Sequence, residues 1–188
     1  MKVYFTASLT GKKLFGENYQ KITSSLRRQG HQVFDEHIVN STKEKIMNES
    51  PGQRLAYIKL LNKNLRWCDV VLAEVSYPST SVGFEICLAM SRQKPVLAMH
   101  DERGDFPSLL EGFKEEVASI IAYKLDEVDK VLEGALEFIK DRVLTKRFTI
   151  LFSPRIVRFL DTIAQTGTIS RSEYIRDLIL QDLRKRAK

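Results

Sequence analysis

Apolar and polar positions divide the first 143 residues into short strands that alternate with helices. The predicted strands are Lys2–Ser8, Gln32–His37, Val70–Val75, Pro95–His100 and Val117–Tyr123. The predicted helices are Glu17–Gln29, Gly52–Trp67, Val82–Arg92 and Asp126–Val143, and the polar residues 38–51 are predicted as loop with some helix. Five strands that alternate with helices imply right-handed crossovers. The pattern therefore predicts an α/β fold, a doubly wound five-stranded parallel sheet of the flavodoxin or Rossmann type.

Three of these elements have distinctive sequence features. The first helix has apolar residues at helical spacing and ends at Gly30, a common C-terminal signal. The second helix has a predicted apolar stripe formed by Leu55, Ile58, Leu61 and Leu65. The run Val70–Val75 is predominantly apolar, which is typical of a strand that is covered on both faces.

Ligands of doubly wound sheets bind beyond the carboxyl ends of the strands. Three segments directly follow predicted strands or end them, namely Thr6–Gly11, Asp35–His37 and Ser76–Glu85. Because parallel strands end at the same edge of a sheet, we expect these three segments to lie together. They are the candidate site.

The segment DVVLAEVSYPSTSVGFE, residues 69–85, indicates the chemistry of that site. A turn of small residues before a helix lets an anion approach backbone amides and the positive end of the helix. Ser8, Gly11, Ser79 and Ser81 are therefore the predicted phosphate-holding residues. Glu85 is expected in the first turn of the next helix, ionised and suited to attack an electrophilic carbon. The alternative is that Glu85 only caps its helix.

Composition limits the other possibilities. The chain has 188 residues, of which 43% are hydrophobic and 29% charged, and no apolar run approaches the roughly 18–20 residues of a membrane span. The N-terminus resembles a first strand rather than a signal peptide, so we expect a cytoplasmic protein. Cys68 and Cys87 are predicted to be small buried side chains, and three scattered histidines predict neither a metal nor another cofactor.

Charge is distributed unevenly along the chain. Residues 1–140 contain 19 Lys and Arg and 19 Asp and Glu, whereas residues 141–188 contain 11 and 5. The whole net charge of +6 therefore lies in the tail. A basic tail on a neutral body suggests two modules and an anionic partner such as nucleic acid, although a solvated basic helix end is the simpler alternative.

Three stretches of residues 2–143 together resemble the nucleoside 2-deoxyribosyltransferase family, which includes the 2'-deoxynucleoside 5'-phosphate N-hydrolases. They are VYFTASLTG at 3–11, FDEHI at 34–38 and CDVVLAEVSYPSTSVGFEI at 68–86. The resemblance implies that Glu85 is the nucleophile that attacks the deoxyribose and displaces the base. It also implies that Ser79 and the loop Ser8–Gly11 hold the sugar or its 5'-phosphate, and we add Gly83 and His37 as substrate-binding residues.

Three features of the chain differ from the family pattern. The first loop of the family usually has the sequence Gly-Ser-Ile-Arg-Gly, whereas Ala7–Gly11 lacks the arginine. The turn Ser79–Glu85 differs at several positions from the usual Ser-Leu-Gly-Val-Gly-Tyr-Glu. The aspartate that helps to protonate the departing base is replaced by Leu61, and residues 50–68 contain no carboxylate. Asp35, Glu36 or His37 is a possible substitute, unless these residues form an ordinary polar loop.

The tail has the pattern of a strand followed by two helices. Phe148, Ile150 and Phe152 alternate with Arg147, Thr149 and Leu151, as in a strand with one apolar face. A helix follows Ser153 and Pro154, with a predicted buried face of Ile156, Val157, Leu160 and Ile163. A second helix follows a capping box that runs from Ser170 to Glu173, with Tyr174, Ile175, Leu178 and Ile179 predicted inward.

This order resembles the ribbon-helix-helix module of small DNA-binding regulators. The resemblance implies a homodimer, because one copy cannot bury its apolar strand face. It also implies double-stranded DNA as a partner, with Arg147 and Thr149 in the major groove and Ser170, Arg171 and Ser172 on a phosphate. A module that only joins subunits, or that holds a protein partner, is the alternative.

The sequence thus predicts two domains, 1–143 and 144–188, and leaves two functions open. One is an enzyme acting on the N-glycosidic bond of deoxynucleosides or their 5'-monophosphates. The other is a nucleotide-sensing, DNA-binding transcriptional regulator with a catalytically degenerate pocket.

Overall fold

The structure, a computed structural model, describes residues 1–103, 118–140, 149–165 and 169–186. The chain divides into two compact units, Met1–Leu144 and Thr145–Lys188. The first unit contains the sheet and the second contains two helices.

The predicted five-stranded parallel sheet is confirmed. Its strands are β1 (Lys2–Ala7), β2 (Gln32–Phe34), β3 (Val70–Glu74), β4 (Val96–Asp101) and β5 (Ala118–Tyr123). They are arranged in the order β2-β1-β3-β4-β5, and every neighbouring pair is parallel. The order reverses at β1 and β3, which is where such sheets bind ligands. The carboxyl ends of these two strands therefore position the candidate site.

The first three predicted helices begin earlier than the apolar pattern predicts, and the fourth begins later. The helices of the first unit are α1 (Lys12–Arg28), α2 (Glu36–Val39), α3 (Lys43–Met47), α4 (Pro51–Trp67), α5 (Thr80–Ser91) and α6 (Val128–Lys140). A capping box formed by Ser50 and Gln53 begins α4. Because helix caps are polar, a pattern of apolar residues alone misses the first turn.

Two apolar clusters cover the two faces of the sheet. One contains Val3 and Phe5 of β1 together with residues of α1 and α6. The other contains Tyr4 of the same strand together with residues of α4 and α5. Successive residues of β1 point to opposite faces, so Tyr4 and Phe5 belong to different clusters. The carboxyl edge of the sheet consequently has two separate environments.

The predicted stripe of α4 is wrong in its first half. Leu55 is 57% exposed and Ile58 is 40% exposed, whereas the buried residues of this helix are Leu61, Asn64 and Leu65. The buried side of α4 therefore includes Tyr57, one turn before Leu61, because residues four apart share a helix face. The prediction for Cys87 is also wrong, since this residue lies on the outer face of α5 and is exposed, while Cys68 is buried.

The described residues of the second unit form two helices, α7 (Pro154–Gln165) and α8 (Arg171–Arg186). Phe159 and Tyr174 pack edge to face with their ring centroids 5.7 Å apart. Of the predicted inward residues, Leu160 is buried, but Ile156, Leu178 and Ile179 are 43–59% exposed. Residues 149–153 form no strand in the single chain. A lone strand lacks a partner for its ladder, and two helices alone cannot enclose a core.

Every helix in the described ranges is too short or too polar to cross a lipid bilayer.

Candidate active site at the carboxyl edge of the sheet

Glu85 lies in α5 with its side chain turned into the protein, and it is only 3% exposed. The prediction that it occupies the first turn is wrong. The helix begins at Thr80 after its cap Ser79, so Glu85 is the sixth helical residue and lies in the second turn. The field of a helix terminus falls off within one turn, so the side-chain neighbours control this carboxylate.

Two phenol groups hold the carboxylate of Glu85. Tyr57 of α4 donates a hydrogen bond to Oε1 at 2.5 Å, and Tyr4 of β1 donates to Oε2 at 3.0 Å. Burial raises the pKa of Glu85, and hydroxyl neighbours, Tyr57 foremost, oppose that shift. Burial and the nearby Glu85 also raise the pKa of both phenols, so each remains a donor at neutral pH.

His37 joins the same cluster through Tyr4. Its Nε2 lies 3.0 Å from the Tyr4 hydroxyl, and its ring stacks on the rings of Tyr4 and Phe34 at centroid distances of 5.0 and 5.5 Å. Burial lowers the pKa of His37 to about 4, against the opposing effect of Asp35, so the imidazole is neutral at pH 7. Its Nδ1 is buried and accepts or donates no hydrogen bond among the described residues.

The loop that follows β1 packs against the turn that follows β3. A Cβ atom at Gly11 would lie 2.5 Å from Cβ of Tyr77, so the two segments touch where the chain has a glycine. Ser8 is buried, and its hydroxyl accepts a hydrogen bond from the amide of Gly11 at 3.2 Å. The structure thus brings Ser8 and Gly11 beside the segment that carries Ser79, as the sequence predicts for one sheet edge.

The N-terminus of α5 presents the remaining predicted residues. Ser79 caps the helix, since its hydroxyl accepts the amide of Val82 at 3.4 Å, and Ser81 is exposed in the first turn. At Gly83 an added methyl group would meet no described atom within 4 Å. This end of the site is therefore open, in contrast to the crowded contact at Gly11.

The sequence analysis did not predict Tyr4 and Tyr57 as site residues. On α4 it considered only the position of Leu61. Leu61 is 1% exposed and packs in the core with Tyr4 and Leu65. The polar group that α4 directs at Glu85 is Tyr57, one turn earlier. Such residues could be found from the sequence as tyrosines on the buried side of a helix or strand, because a buried phenol hydroxyl requires a hydrogen-bond partner.

Two other acidic residues near the site, Asp35 and Asp69, have structural partners. Asp35 is buried and accepts a hydrogen bond from Arg27 at 2.7 Å, while Glu36 is exposed in the first turn of α2. Asp69 accepts the backbone amide of Lys2 at 2.7 Å and so anchors the start of β1. Of the trio at the end of β2, only His37 contacts the cluster around Glu85.

A second buried carboxylate, Glu74, ends β3 on the opposite face of the sheet. It is 0% exposed and accepts hydrogen bonds from Ser76 and, at 3.0 Å, from Tyr123 of β5. Asn18 of α1 donates to the Tyr123 hydroxyl and to Asp101, in each case at 2.8 Å. Burial raises the pKa of Glu74 to about 7. The sequence analysis treated this residue only as part of an apolar strand.

The described residues contain no group of three or more histidine, cysteine or acidic side chains that could hold a metal ion.

The predicted DNA-contacting residues fall partly outside the described ranges. Arg147 is not among the described residues, and Thr149 is exposed. Ser170 caps α8 by accepting the amide of Glu173 at 3.3 Å, and Ser172 is exposed. Arg171 forms an ion pair with Asp161 of α7, yet its side chain remains 57% exposed.

Comparison with known proteins identifies relatives of this chain, although no family model matches it. A 2'-deoxynucleoside 5'-phosphate N-hydrolase 1 from Thermofilum pendens is 30% identical over 145 residues, which cover 73% of this chain and 99% of that protein. The chain belongs to this N-hydrolase family. The predicted resemblance of the first domain to it is confirmed.

Two solved structures share the fold of the N-hydrolase unit. A CMP N-glycosidase from Clostridium botulinum matches with a TM-score of 0.51 at 20% identity, over 71% of this chain and 98% of that one. A 2-deoxyribosyltransferase from Bacillus psychrosaccharolyticus matches with a TM-score of 0.50 at 18% identity, over 69% and 90% of the two chains. At these identities the matches establish the fold alone.

Proposed function

We propose that the chain cleaves the N-glycosidic bond of deoxynucleosides or their 5'-monophosphates with Glu85 as nucleophile. One observation carries the proposal. A buried carboxylate lies between two phenols at the carboxyl edge of the sheet, in a chain that belongs to this N-hydrolase family. A carboxylate that is oriented but has no ion-pair partner among the described residues is free to form a covalent bond.

The chemistry has two steps. In the first, one oxygen of Glu85 attacks the anomeric carbon of the deoxyribose, the bond from that carbon to the base breaks with its electron pair, and the base takes up a proton. In the second, water attacks the same carbon and releases a proton to the solvent, and the electron pair of the ester bond returns to Glu85 as a carboxylate. An acceptor base in place of water would give transfer instead of hydrolysis.

His37 is the proposed contact to the substrate beside the nucleophile. Its neutral imidazole stacks in an aromatic wall, and its Nδ1 has no partner in the described part of the chain. A buried polar atom without a partner is costly, at roughly 1–3 kcal/mol, so a ligand that supplies one is favoured. With a pKa of about 4, His37 is a hydrogen-bonding group rather than a strong proton donor at pH 7.

The proposed phosphate site consists of two adjoining segments. Ser8 and Gly11 follow β1, and Ser79, Ser81 and Gly83 form the start of α5. The amides in the first turn of a helix bind anions, and the open space at Gly83 allows a phosphate to approach the backbone. The missing arginine of the first loop leaves these neutral donors as the main phosphate contacts.

A base-release assay tests the nucleophile. Deoxynucleosides and their 5'-monophosphates are incubated with the protein, with and without an acceptor base, and the products are separated by chromatography. Glu85→Gln should reduce release at least about a thousandfold, because the covalent step is lost. Glu74→Gln is the matched control, since it alters a carboxylate that is equally buried but lies on the other face.

Unchanged turnover in Glu85→Gln would contradict the assignment. If no substrate turns over in the wild-type protein but a nucleotide still raises the melting temperature, the pocket is a sensor. That outcome would favour the regulator that the sequence left as the alternative.

For the second unit, we infer a homodimer that binds double-stranded DNA. The supporting observation is the exposed apolar face of the unit, to which Phe152, Ile156 and Leu178 contribute at 37%, 43% and 48% exposure. Pairing of the segment 147–152 between two copies would cover this face, and the capped N-terminus of α8 would then grip a phosphate. The first domain, residues 1–143, and this module, residues 144–188, would thus act as separate parts.

Light scattering and DNA binding at several salt concentrations test the inference. Phe152→Asp should give monomers, and Arg147→Ala and Arg171→Ala should each weaken binding and reduce its salt dependence. A monomeric wild-type protein would contradict the dimer. If the protein forms dimers that bind no DNA, the second unit serves only to join the subunits.

A further inference from the structure

Tyr57 reaches Glu85 from a helix that the sequence assigns no polar function at this site. The hydroxyl of Tyr57 lies 2.5 Å from Oε1, which is the shorter of the two phenol contacts to Glu85, since Tyr4 lies 3.0 Å from Oε2. Tyr57 is partly exposed, whereas Tyr4 is 1% exposed in the core. One phenol is thus fixed by the sheet, and the other approaches from the solvent side.

The neighbours of Glu85 are few. The ionisable groups around it are Tyr4 of β1, Tyr57 of α4 and, through Tyr4, His37 of α2. Glu85 has no ion-pair partner among the described residues. Burial favours the protonated carboxyl, so the hydrogen bonds from hydroxyl groups are what favour the ionised nucleophile.

We propose that Tyr57 is the positioning residue that keeps Glu85 ionised and correctly aimed, in place of any charged partner from α4. The inference rests on the proposed function. When one oxygen of Glu85 bonds to the sugar, the phenol keeps the other oxygen in place. When water attacks the anomeric carbon and the ester bond breaks, the electron pair returns to Glu85, and the hydrogen bond from Tyr57 stabilises the carboxylate that reappears.

Tyr57 lies on the side of α4 that faces Glu85. Leu61 is one turn further along the same face and belongs to the same buried apolar cluster as Tyr4. A carboxylate at that position would lie near Glu85 without a cation and would disfavour its ionisation. A phenol donates a hydrogen bond without adding negative charge.

The experiment measures the ionisation of Glu85 in two ways. The full chain is labelled with glutamate carrying ¹³C at the side-chain carboxyl, its resonance is identified by its absence in Glu85→Gln, and it is titrated by NMR in wild type and Tyr57→Phe. The pH profile of base release is recorded on the same proteins. Tyr123→Phe is the matched control, because it removes a phenol from Glu74 instead.

Tyr57→Phe should raise the pKa of Glu85 and move the acid limb of the pH profile upward by the same amount. At neutral pH kcat should fall about 10–100-fold, with KM changed by less than about threefold. Tyr123→Phe should leave the Glu85 titration unchanged. An unchanged Glu85 pKa in Tyr57→Phe would overturn the inference, and the NMR result decides it even if the protein releases no base.

Discussion

Glu85 and Glu74 are both buried carboxylates at the carboxyl edge of the sheet, and both accept hydrogen bonds from tyrosine. Burial raises the pKa of each. The partners of Glu74 come from the core of its own face, where Ser76, Tyr123 and Asn18 form a continuous set of contacts. The partners of Glu85 include a partly exposed phenol on a separate helix. Burial and a raised pKa alone therefore do not distinguish a candidate nucleophile from a structural acid.

The two faces also differ in how closely their loops pack. On the α1 side, the position of Gly11 is filled by Tyr77 and by the hydroxyl of Tyr19. On the α5 side, the space at Gly83 is open. A side chain therefore has no room at Gly11, whereas it would meet no described atom within 4 Å at Gly83.

The largest effect should follow from Glu74→Gln. The pKa of Glu74 is raised in the folded protein from 4.5 to about 7, so the unfolded chain ionises first as pH rises. Folding stability from this group is complete below pH 4.5 and is lost between pH 4.5 and 7, by about 3 kcal/mol. Glu74→Gln should remove this loss. Urea unfolding at several pH values measures it.

The comparison is between the pH slopes of the two proteins rather than their absolute stabilities. Asp101, whose pKa is lowered chiefly by hydrogen bonds from Arg103, adds the opposite slope at lower pH but is present in both. Glu133→Gln, which removes an exposed carboxylate of α6, is the control. Equal slopes in wild type and Glu74→Gln would show that the carboxylate is ionised in the folded protein throughout this range.

Substitution of Gly11 and of Gly83 by alanine should have smaller effects on folding stability, in opposite directions. Gly11→Ala would place its methyl group 2.5 Å from Cβ of Tyr77, an atom next to the backbone, and should destabilise the fold by about 1–3 kcal/mol. Its φ of −72° is ordinary, so crowding alone is responsible. Gly83→Ala should stabilise α5 by roughly 0.5–1 kcal/mol. Thermal unfolding measures both.

Gly83→Ala also tests the open end of the site. The added methyl group should weaken nucleotide binding without any loss of stability, because the space is empty in the protein and is where the phosphate is proposed to lie. Nucleotide binding equal to that of the wild type would place the phosphate elsewhere. A destabilised Gly83→Ala would show that the space is not open.

The sequence was sufficient to predict the sheet and to bring the segment of Glu85 to its carboxyl edge, but not to predict the hydrogen-bond partners of Glu85. Alternation of strands and helices determined the order of elements, and the rule for doubly wound sheets brought His37 and Glu85 to one edge. Tyr57 was missed because Leu55 and Ile58 suggested a different buried face for α4. Glu74 was missed because five apolar neighbours concealed it. Side-chain partners depend on helix rotation, which short apolar patterns determine poorly.

A similarly small effect on stability should come from substitution of the two core phenols. Tyr4→Phe and Tyr123→Phe each remove hydrogen bonds to a buried carboxylate and should each destabilise the protein by about 1 kcal/mol. They differ in function, because Tyr4 contacts Glu85 and His37, whereas Tyr123 contacts Glu74 and Asn18.

Only Tyr4→Phe should therefore move the acid limb of the pH profile of base release upward. The shift should be smaller than in Tyr57→Phe, because the hydrogen bond from Tyr57 lowers the pKa of Glu85 more than the one from Tyr4 does. Matched profiles of base release and matched melting temperatures for the three variants measure this order. A shift in Tyr123→Phe equal to that in Tyr4→Phe would mean that the two faces are coupled through the sheet and are not independent environments.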